Sequence, residues 1–149
     1  MVDTQKNAEE QLQDERYDRT IRTLTAEVAL KIMKSRVAVG PMTGVCTEFM
    51  KNVVLDGANV TIFDSEPILD LDVETNFMIS EADKAENKSR AQALKDKFKE
   101  MNPYSDIQIE DTLNIGDAYR EIVENKKEDH KLKEFTALVF STTSFKEMI

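Results

Sequence analysis

The sequence predicts an α/β fold in which helices flank a parallel sheet. Two short apolar runs rich in β-branched residues, at 36–40 and 59–64, have the composition of strands buried on both faces, and a helical pattern separates them. Two more strand-like runs follow at 106–110 and 135–140. Because crossovers between parallel strands are right-handed, this alternation of strands and helices leaves few topologies other than a single wound sheet.

The N-terminal part combines an acidic tail with a helix. Residues 1–18 carry six acidic and two basic side chains and few apolar residues that could anchor them, so we expect a tail at 1–18 and a domain at 19–149. Apolar residues at helical spacing then predict one stripe of a helix, with Thr25 as a local cap. The stripe consists of Ile21, Leu24, Val28 and Ile32.

Residues 36–64 form a predicted βαβ unit. The first strand ends at Gly40 and a turn follows at 41–44. The helix at 45–55 ends before Gly57 and is expected to place one apolar face inward. That face consists of Val45, Phe49 and Val53.

The following crossover is strongly acidic. Residues 64–83 hold seven acids and no base, which favours a solvated or partner-facing loop. A basic helix with an apolar stripe should then end at 102–103, where a proline follows an asparagine. A short helix is expected at 117–125 and a charged loop at 126–134.

Composition excludes several classes of function. The 149 residues contain 20 Lys and Arg against 29 Asp and Glu, a net charge of −9, which argues against binding to nucleic acid or to an anionic membrane. One Cys and one His exclude an intramolecular disulfide and a zinc site of the usual Cys/His type, so we expect no metal. The start is polar and no apolar run is of bilayer-spanning length, which indicates a reducing compartment, the cytoplasm or nucleus.

The turn after the first strand is the candidate nucleotide site. Glycines there let a backbone approach phosphates, but the spacing is G-x-x-x-G, from Gly40 to Gly44, and Pro41 removes one N–H. Asp64 ends the second strand, where an acid can accept ribose hydroxyls; the alternative is an acid that starts a surface loop. Because the seven acids nearby would repel a triphosphate, the sequence predicts a degenerate site.

Several strings are similar to a known family. Residues 15–22 resemble the Y-D-R-Q-I-R opening of the enzymes that activate ubiquitin-like modifiers, a branch of the MoeB/ThiF adenylating superfamily. Further matching strings follow in the family's order and extend the resemblance over residues 15–141. They lie at 35–40, 47–57, 61–64, 76–77, 88–92 and 101–107.

The resemblance implies a Rossmann-like fold, here the N-terminal half of a ThiF-type adenylation fold. In this family two related halves pair, and usually one of them binds ATP, magnesium and the modifier. The chain resembles the other, degenerate half, because Thr75 stands where a phosphate-binding arginine is expected and Arg90 stands at the position of a lysine. The resemblance therefore implies no cofactor in this chain, and ATP and Mg in the partner subunit.

Arg19 is the candidate catalytic residue. The resemblance implies that the arginine of the Tyr-Asp-Arg opening reaches the ATP phosphates of the partner subunit. A planar, permanently charged guanidinium suits that task. The alternative for Arg19 and Arg22 is ordinary ion pairing with Asp14 or Asp18 on a surface helix.

The expected function is therefore that of a non-catalytic subunit of a heterodimeric activating enzyme, with a SUMO-type modifier favoured and NEDD8 second. The chain is short for such a subunit, so it is expected to be a fragment, a short isoform or a reduced paralogue, the last either active or inert. A second hypothesis is an NAD-dependent oxidoreductase in which Gly40, Gly44 and Asp64 hold the cofactor.

Overall fold

The computed structural model describes residues 15–111 and 131–141, and a four-stranded parallel sheet lies at its centre. The strand order is β3-β2-β1-β4 and all three pairings are parallel. The predicted α/β fold is confirmed. The strands are β1, Arg36–Val39; β2, Asn59–Phe63; β3, Ile107–Glu110; and β4, Ala137–Val139.

The two central strands are buried on both faces. Val37 pairs with Val60 and Val39 with Ile62, and all four belong to the main core. Because side chains alternate along a strand, Ala38 points to the opposite face, where a second cluster contains Phe63 and Leu132. This double burial explains why both strands are continuous apolar runs.

Two helices precede the sheet where the sequence predicts one stripe. They are α1, Asp18–Leu24, and α2, Ala26–Lys34. Thr25 lies between them in the left-handed region, with φ of 76°, and its side chain makes no capping hydrogen bond. Because this residue breaks the helical phase, Ala29 and Met33 are buried on α2, whereas Val28 is exposed.

Helix α3, Gly44–Leu55, buries a different face from the predicted one. Val45 is 74% exposed and Phe49 39% exposed, so the predicted inward face was wrong for these two residues, whereas Val53 packs against the main core. Hydrogen bonding orients the helix: Thr43 accepts from the Cys46 N–H at its start, and buried Thr47 accepts from Asn76 at 2.8 Å. The buried residues are Cys46, Thr47, Met50 and Val54.

The acidic crossover folds instead of forming a solvated loop, which corrects the prediction. It contains α4, Asp70–Thr75, and α5, Glu81–Ala85, and it leads into α6, Arg90–Met101. Its charge is partly compensated, because four of its seven acids pair with three bases of α5 and α6. The pairs are Asp64 and Asp72 with Arg90, Asp70 with Lys84, and Asp83 with Lys97.

The remaining predictions have mixed outcomes. Helix α6 ends at Met101 as expected from the Asn-Pro sequence that follows it. Part of the expected charged loop, Lys131–Glu134, forms a 3-10 turn that buries Leu132. The expected helix at 117–125 lies outside the described residues. The division into tail and domain at residue 18 stays a prediction, although Tyr17 is buried.

Two findings concern only residues 15–111 and 131–141. No helix in these ranges has the length and apolarity that crossing a bilayer requires. The same ranges bring together no group of three or more His, Cys, Asp or Glu side chains that could hold a metal ion.

The ion pair between Asp83 and Lys97 should make stability depend on pH. Burial by itself raises the pKa of Asp83, but hydrogen bonds from Lys97 and Ser80 outweigh it and lower the pKa from 3.8 to about 2. A lowered pKa stabilises the fold above the unfolded value of 3.8, and this contribution is lost as pH falls through about 2. As pH falls from about 5 to about 2, the free energy of unfolding of Lys97→Met should therefore decrease less than that of the wild type.

Urea denaturation across this pH range measures the difference. Lys95→Met is the matched control, because Lys95 lies on the same helix and, among the described residues, makes no ion pair. Its pH profile should follow that of the wild type. Parallel profiles for Lys97→Met and wild type would contradict the assigned pair.

Candidate functional site

The turn after β1 is held so closely by neighbouring backbone that both of its glycines are required. A Cβ atom on Gly40 would lie 2.2 Å from the carbonyl oxygen of Phe63, at the end of β2. A Cβ atom on Gly44 would lie 2.5 Å from the carbonyl oxygen of Thr75, at the end of α4. The predicted site residues Gly40 and Gly44 therefore have a packing role in this chain whether or not a phosphate approaches them.

Met42 joins this turn to the main core. Met42 is fully buried in the main core, and its backbone N–H donates to Asp64 at 2.7 Å. Its carbonyl accepts from the Asn76 amide at 3.3 Å, and the same amide donates to Thr47. Asn76 thus ties the end of the crossover helix α4 to the glycine turn and to α3.

Asp64 lies where the sequence predicts it, at the end of β2, but its carboxylate is fully occupied. Oδ2 accepts hydrogen bonds from the Met42 N–H at 2.7 Å and from Arg90 Nε at 2.9 Å. Oδ1 accepts from the Glu66 N–H at 2.9 Å and from Arg90 Nη2 at 3.2 Å. Since two carboxylate oxygens offer about four acceptor sites, no site is left for a ribose hydroxyl.

Arg90 joins two buried carboxylates. Its guanidinium forms the bidentate contact with Asp64 and places Nη1 at 3.3 Å from Asp72. Burial by itself lowers the pKa of Arg90, but the hydrogen bonds and negative charges of Asp64 and Asp72 outweigh this effect and raise it. The group therefore stays a fixed cation, and removing it would leave two buried carboxylates without a counterion.

This arrangement limits the chemistry of the carboxyl edge of the sheet. A nucleotide that used Asp64 would have to break a bidentate, charge-assisted pair in a buried place. Thr75, which stands where the resemblance expects a phosphate-binding arginine, donates its hydroxyl to the Leu71 carbonyl. The polar side chains of this site thus bond to one another and to the backbone. Among its described residues, no arginine or lysine is left unpaired to bind phosphates.

Arg19 lies in a different environment from Asp64. It is exposed on the first turn of α1, and within the described ranges no hydrogen bond or ion pair engages its guanidinium. Arg22, one turn later, forms an ion pair with Asp18 at 2.9 Å. The structure thus brings Gly40, Gly44 and Asp64 together but does not bring Arg19 to them.

The two places lie at opposite edges of the parallel sheet. Gly40 and Asp64 follow the carboxyl ends of β1 and β2. Tyr17, which precedes α1, contacts Gly57 and Asn102, and these residues precede the amino ends of β2 and β3. The segment that carries Arg19 is therefore attached at the edge that is remote from the glycine turn.

Periodicity alone does not identify several residues that organise these places. Asp72, Asn76 and Asn102 are buried polar residues whose importance depends on partners far along the chain. The sequence places Tyr17 in the predicted acidic tail, whereas the structure buries it. Two signals in the sequence could have marked them. They are the reversal of charge between the crossover and α6 and the Asn-Pro sequence after that helix.

The sequence has relatives among activating enzymes. It is 33% identical over 121 residues to human ubiquitin-like modifier-activating enzyme 6, covering 76% of this chain and 12% of the relative. It is 30% identical over 129 residues to rat SUMO-activating enzyme subunit 1, covering 86% of this chain and 34% of the relative. No family model matches the chain.

Solved structures share the fold at low sequence identity. Escherichia coli tRNA N6-threonylcarbamoyladenosine dehydratase TcdA in complex with ATP matches with a TM-score of 0.66 at 12% identity, over 87% of this chain and 50% of that chain. PaaA matches with a TM-score of 0.67 at 17% identity, over 88% of this chain and 40% of that chain. At such identities the likeness concerns the fold.

The chain spans about one eighth to one third of the length of these curated relatives. Over that span, the ~30% identity and the shared sheet and helices agree with each other and with the resemblance of residues 15–141. The predicted fold class is confirmed: the chain has the fold of the ThiF/MoeB-type adenylation enzymes, and its homologues are SUMO-activating enzyme subunits and enzymes that activate ubiquitin and ubiquitin-like modifiers.

Proposed function

We propose that this chain acts as a non-catalytic subunit of a SUMO-activating enzyme and supports adenylation and thioester formation by a catalytic partner subunit. The observation that carries the proposal is the contrast between two arginines. Arg90 is largely buried and forms a bidentate pair with Asp64, the acid predicted to meet a nucleotide. Arg19, in contrast, is exposed and makes no ion pair with any described residue. Within the described residues, the carboxyl end of the sheet is thus internally paired, and the Arg19 guanidinium is exposed on α1.

The chain binds no nucleotide of its own in this proposal. The acceptor sites of Asp64 are used within the chain, and the described residues near the glycine turn provide no free arginine or lysine for phosphates. ATP and magnesium are bound by the partner subunit. An NAD-dependent oxidoreductase is disfavoured by the same contacts, because it would need Asp64 to accept ribose hydroxyls.

Arg19 acts on the partner's ATP. When a modifier's C-terminal carboxylate attacks the α-phosphorus, negative charge develops on the phosphate oxygens and pyrophosphate leaves. A guanidinium placed beside these oxygens stabilises the transition state without taking part in proton transfer. Since no described carboxylate pairs with Arg19, the guanidinium can make that contact without first breaking an ion pair to the described part of the chain.

SUMO is the modifier proposed, with NEDD8 as the alternative. The support for SUMO is the alignment with rat SUMO-activating enzyme subunit 1 over 86% of this chain. The proposed assembly is a heterodimer with the SUMO-activating catalytic subunit, in the nucleus and cytoplasm. The chain spans 34% of that relative. The activity test below therefore distinguishes an active subunit from an inert paralogue, which would bind the partner without stimulating it.

Nucleotides should leave the thermal stability of this chain unchanged. At a concentration of 100 times Kd, a ligand stabilises a fold by about 2.7 kcal/mol, which a melting curve detects readily. We expect no shift with ATP and magnesium or with NAD, because Asp64 is saturated. The catalytic subunit alone serves as the positive control for ATP. A clear shift with NAD would favour the oxidoreductase, and one with ATP would overturn the closed site.

Arg19→Ala should slow adenylation by the complex. Loss of one preorganised donor to transition-state charge costs about 100-fold to 1,000-fold in rate, so a decrease of this order in ATP–pyrophosphate exchange is expected. Arg22→Ala is the matched control, because it removes an exposed arginine of the same helix that already pairs with Asp18. It should stay within about twofold of wild type, as expected for a surface pair.

Both variants must first be shown to bind the catalytic subunit as the wild type does, by size-exclusion chromatography. Equal exchange rates for Arg19→Ala and wild type would remove the role of the arginine. Binding of wild-type chain without any stimulation of exchange would identify an inert paralogue.

A further inference from the structure

The segment in front of α1 is attached to the fold by one buried tyrosine. Tyr17 is 1% exposed, and its hydroxyl accepts a hydrogen bond from Asn102 Nδ2 at 2.7 Å. The same Nδ2 group donates to the Val54 carbonyl at 2.7 Å, at the end of α3. We call Tyr17 and Asn102, with Val54, Met33 and Gly57 around them, the Tyr17 latch.

The latch depends on a glycine with an unusual backbone. Gly57 has φ of 88°, and a Cβ atom there would lie 2.9 Å from the Tyr17 hydroxyl and 3.1 Å from Met33 Cγ. Any side chain would therefore push the tyrosine away from Asn102. The turn between α3 and β2 is thus shaped to receive this hydroxyl.

Arg16 holds the same segment at a second point. Its Nη1 donates to the Met101 carbonyl at 2.8 Å, at the end of α6, and its guanidinium lies over the Tyr104 ring at 5.9 Å. Two consecutive residues therefore bind the chain around Asn102. The 3-10 turn Glu15–Tyr17 is fixed before α1 begins.

Helix α1 is oriented by its neighbours, the 3-10 turn before it and α2 after it. It is seven residues long and none of its residues is buried, and a helix of this length is unstable without packing. Ile21 packs against the cluster of Tyr17 and Met33. Since positions four apart share a helix face, Tyr17 and Ile21 define the inward face, and Arg19, halfway between them, lies on the outward face.

We propose that Tyr17 is a positioning residue for Arg19: the latch fixes the first turn of α1 so that the guanidinium projects in one direction towards the phosphates of the partner's ATP. This inference rests on the proposed function. A group held in place before binding loses less conformational freedom on binding, and small displacements of a positioned group cause large rate losses.

A double-mutant cycle in the complex with the SUMO-activating catalytic subunit tests the proposal. The variants are Tyr17→Phe, Arg19→Ala and the double variant, measured by ATP–pyrophosphate exchange at saturating partner concentration. Tyr17→Phe removes only the hydroxyl and should lower kcat/KM for ATP about threefold to tenfold without weakening subunit binding. In the Arg19→Ala background the same substitution should have no effect, because no guanidinium is left to position.

Ser105→Ala is the matched structural control. Its hydroxyl is buried and donates to the same Val54 carbonyl at 3.1 Å, and not to residues 15–17. This variant should lower the melting temperature as Tyr17→Phe does and leave exchange unchanged. Arg16→Leu removes an exposed contact, and its smaller loss of activity should also vanish in the Arg19→Ala background.

Each outcome decides the proposal. If Arg19→Ala retains wild-type exchange, the proposed role of that arginine fails and the positioning role fails with it. If Arg19→Ala is slow but Tyr17→Phe and Arg16→Leu are normal, or their losses multiply with that of Arg19→Ala, only the positioning role is overturned. Losses that disappear in the Arg19→Ala background support it.

Discussion

The bidentate contact between Arg90 and Asp64 decides what the carboxyl edge of the sheet can do. It joins the end of β2 to the start of α6, and through Asp72 it also holds α4. Removing one partner of such a buried pair typically costs about 3 to 5 kcal/mol of stability. The pair therefore fixes the crossover and the glycine turn relative to each other. The interaction that orders this edge is the same one that leaves no acceptor on Asp64 for a ligand.

The two edges of the sheet therefore differ in character. At the carboxyl edge, the polar groups around Asp64 satisfy one another. At the amino edge, Tyr17 and Asn102 satisfy one another and leave Arg19 outside the network. Burial of polar side chains saturates the Asp64 carboxylate at one end of the strands and fixes the start of α1 at the other. In both places a glycine, Gly40 or Gly57, permits the close approach on which the network depends.

This chain shares its fold with TcdA, which was solved in complex with ATP, but a shared fold does not establish a shared ligand. The two chains share a sheet and its helices at 12% identity. Binding depends on which groups face the turn after β1. Here the turn itself buries Met42 in the main core, and the nearby carboxylate of Asp64 is paired with Arg90.

Local patterns in the sequence determined the strands, the end of α6 and the position of Asp64, because apolar periodicity, Gly and Pro act over a few residues. Tertiary structure alone decided the break at Thr25, the buried face of α3, the folding of the acidic crossover and the burial of Tyr17. These features depend on hydrogen bonds and ion pairs between distant residues: Asp64 and Arg90 are 26 positions apart, and Tyr17 and Asn102 are 85 apart. A charge or hydroxyl in the sequence does not indicate its partner, since only packing brings the two together.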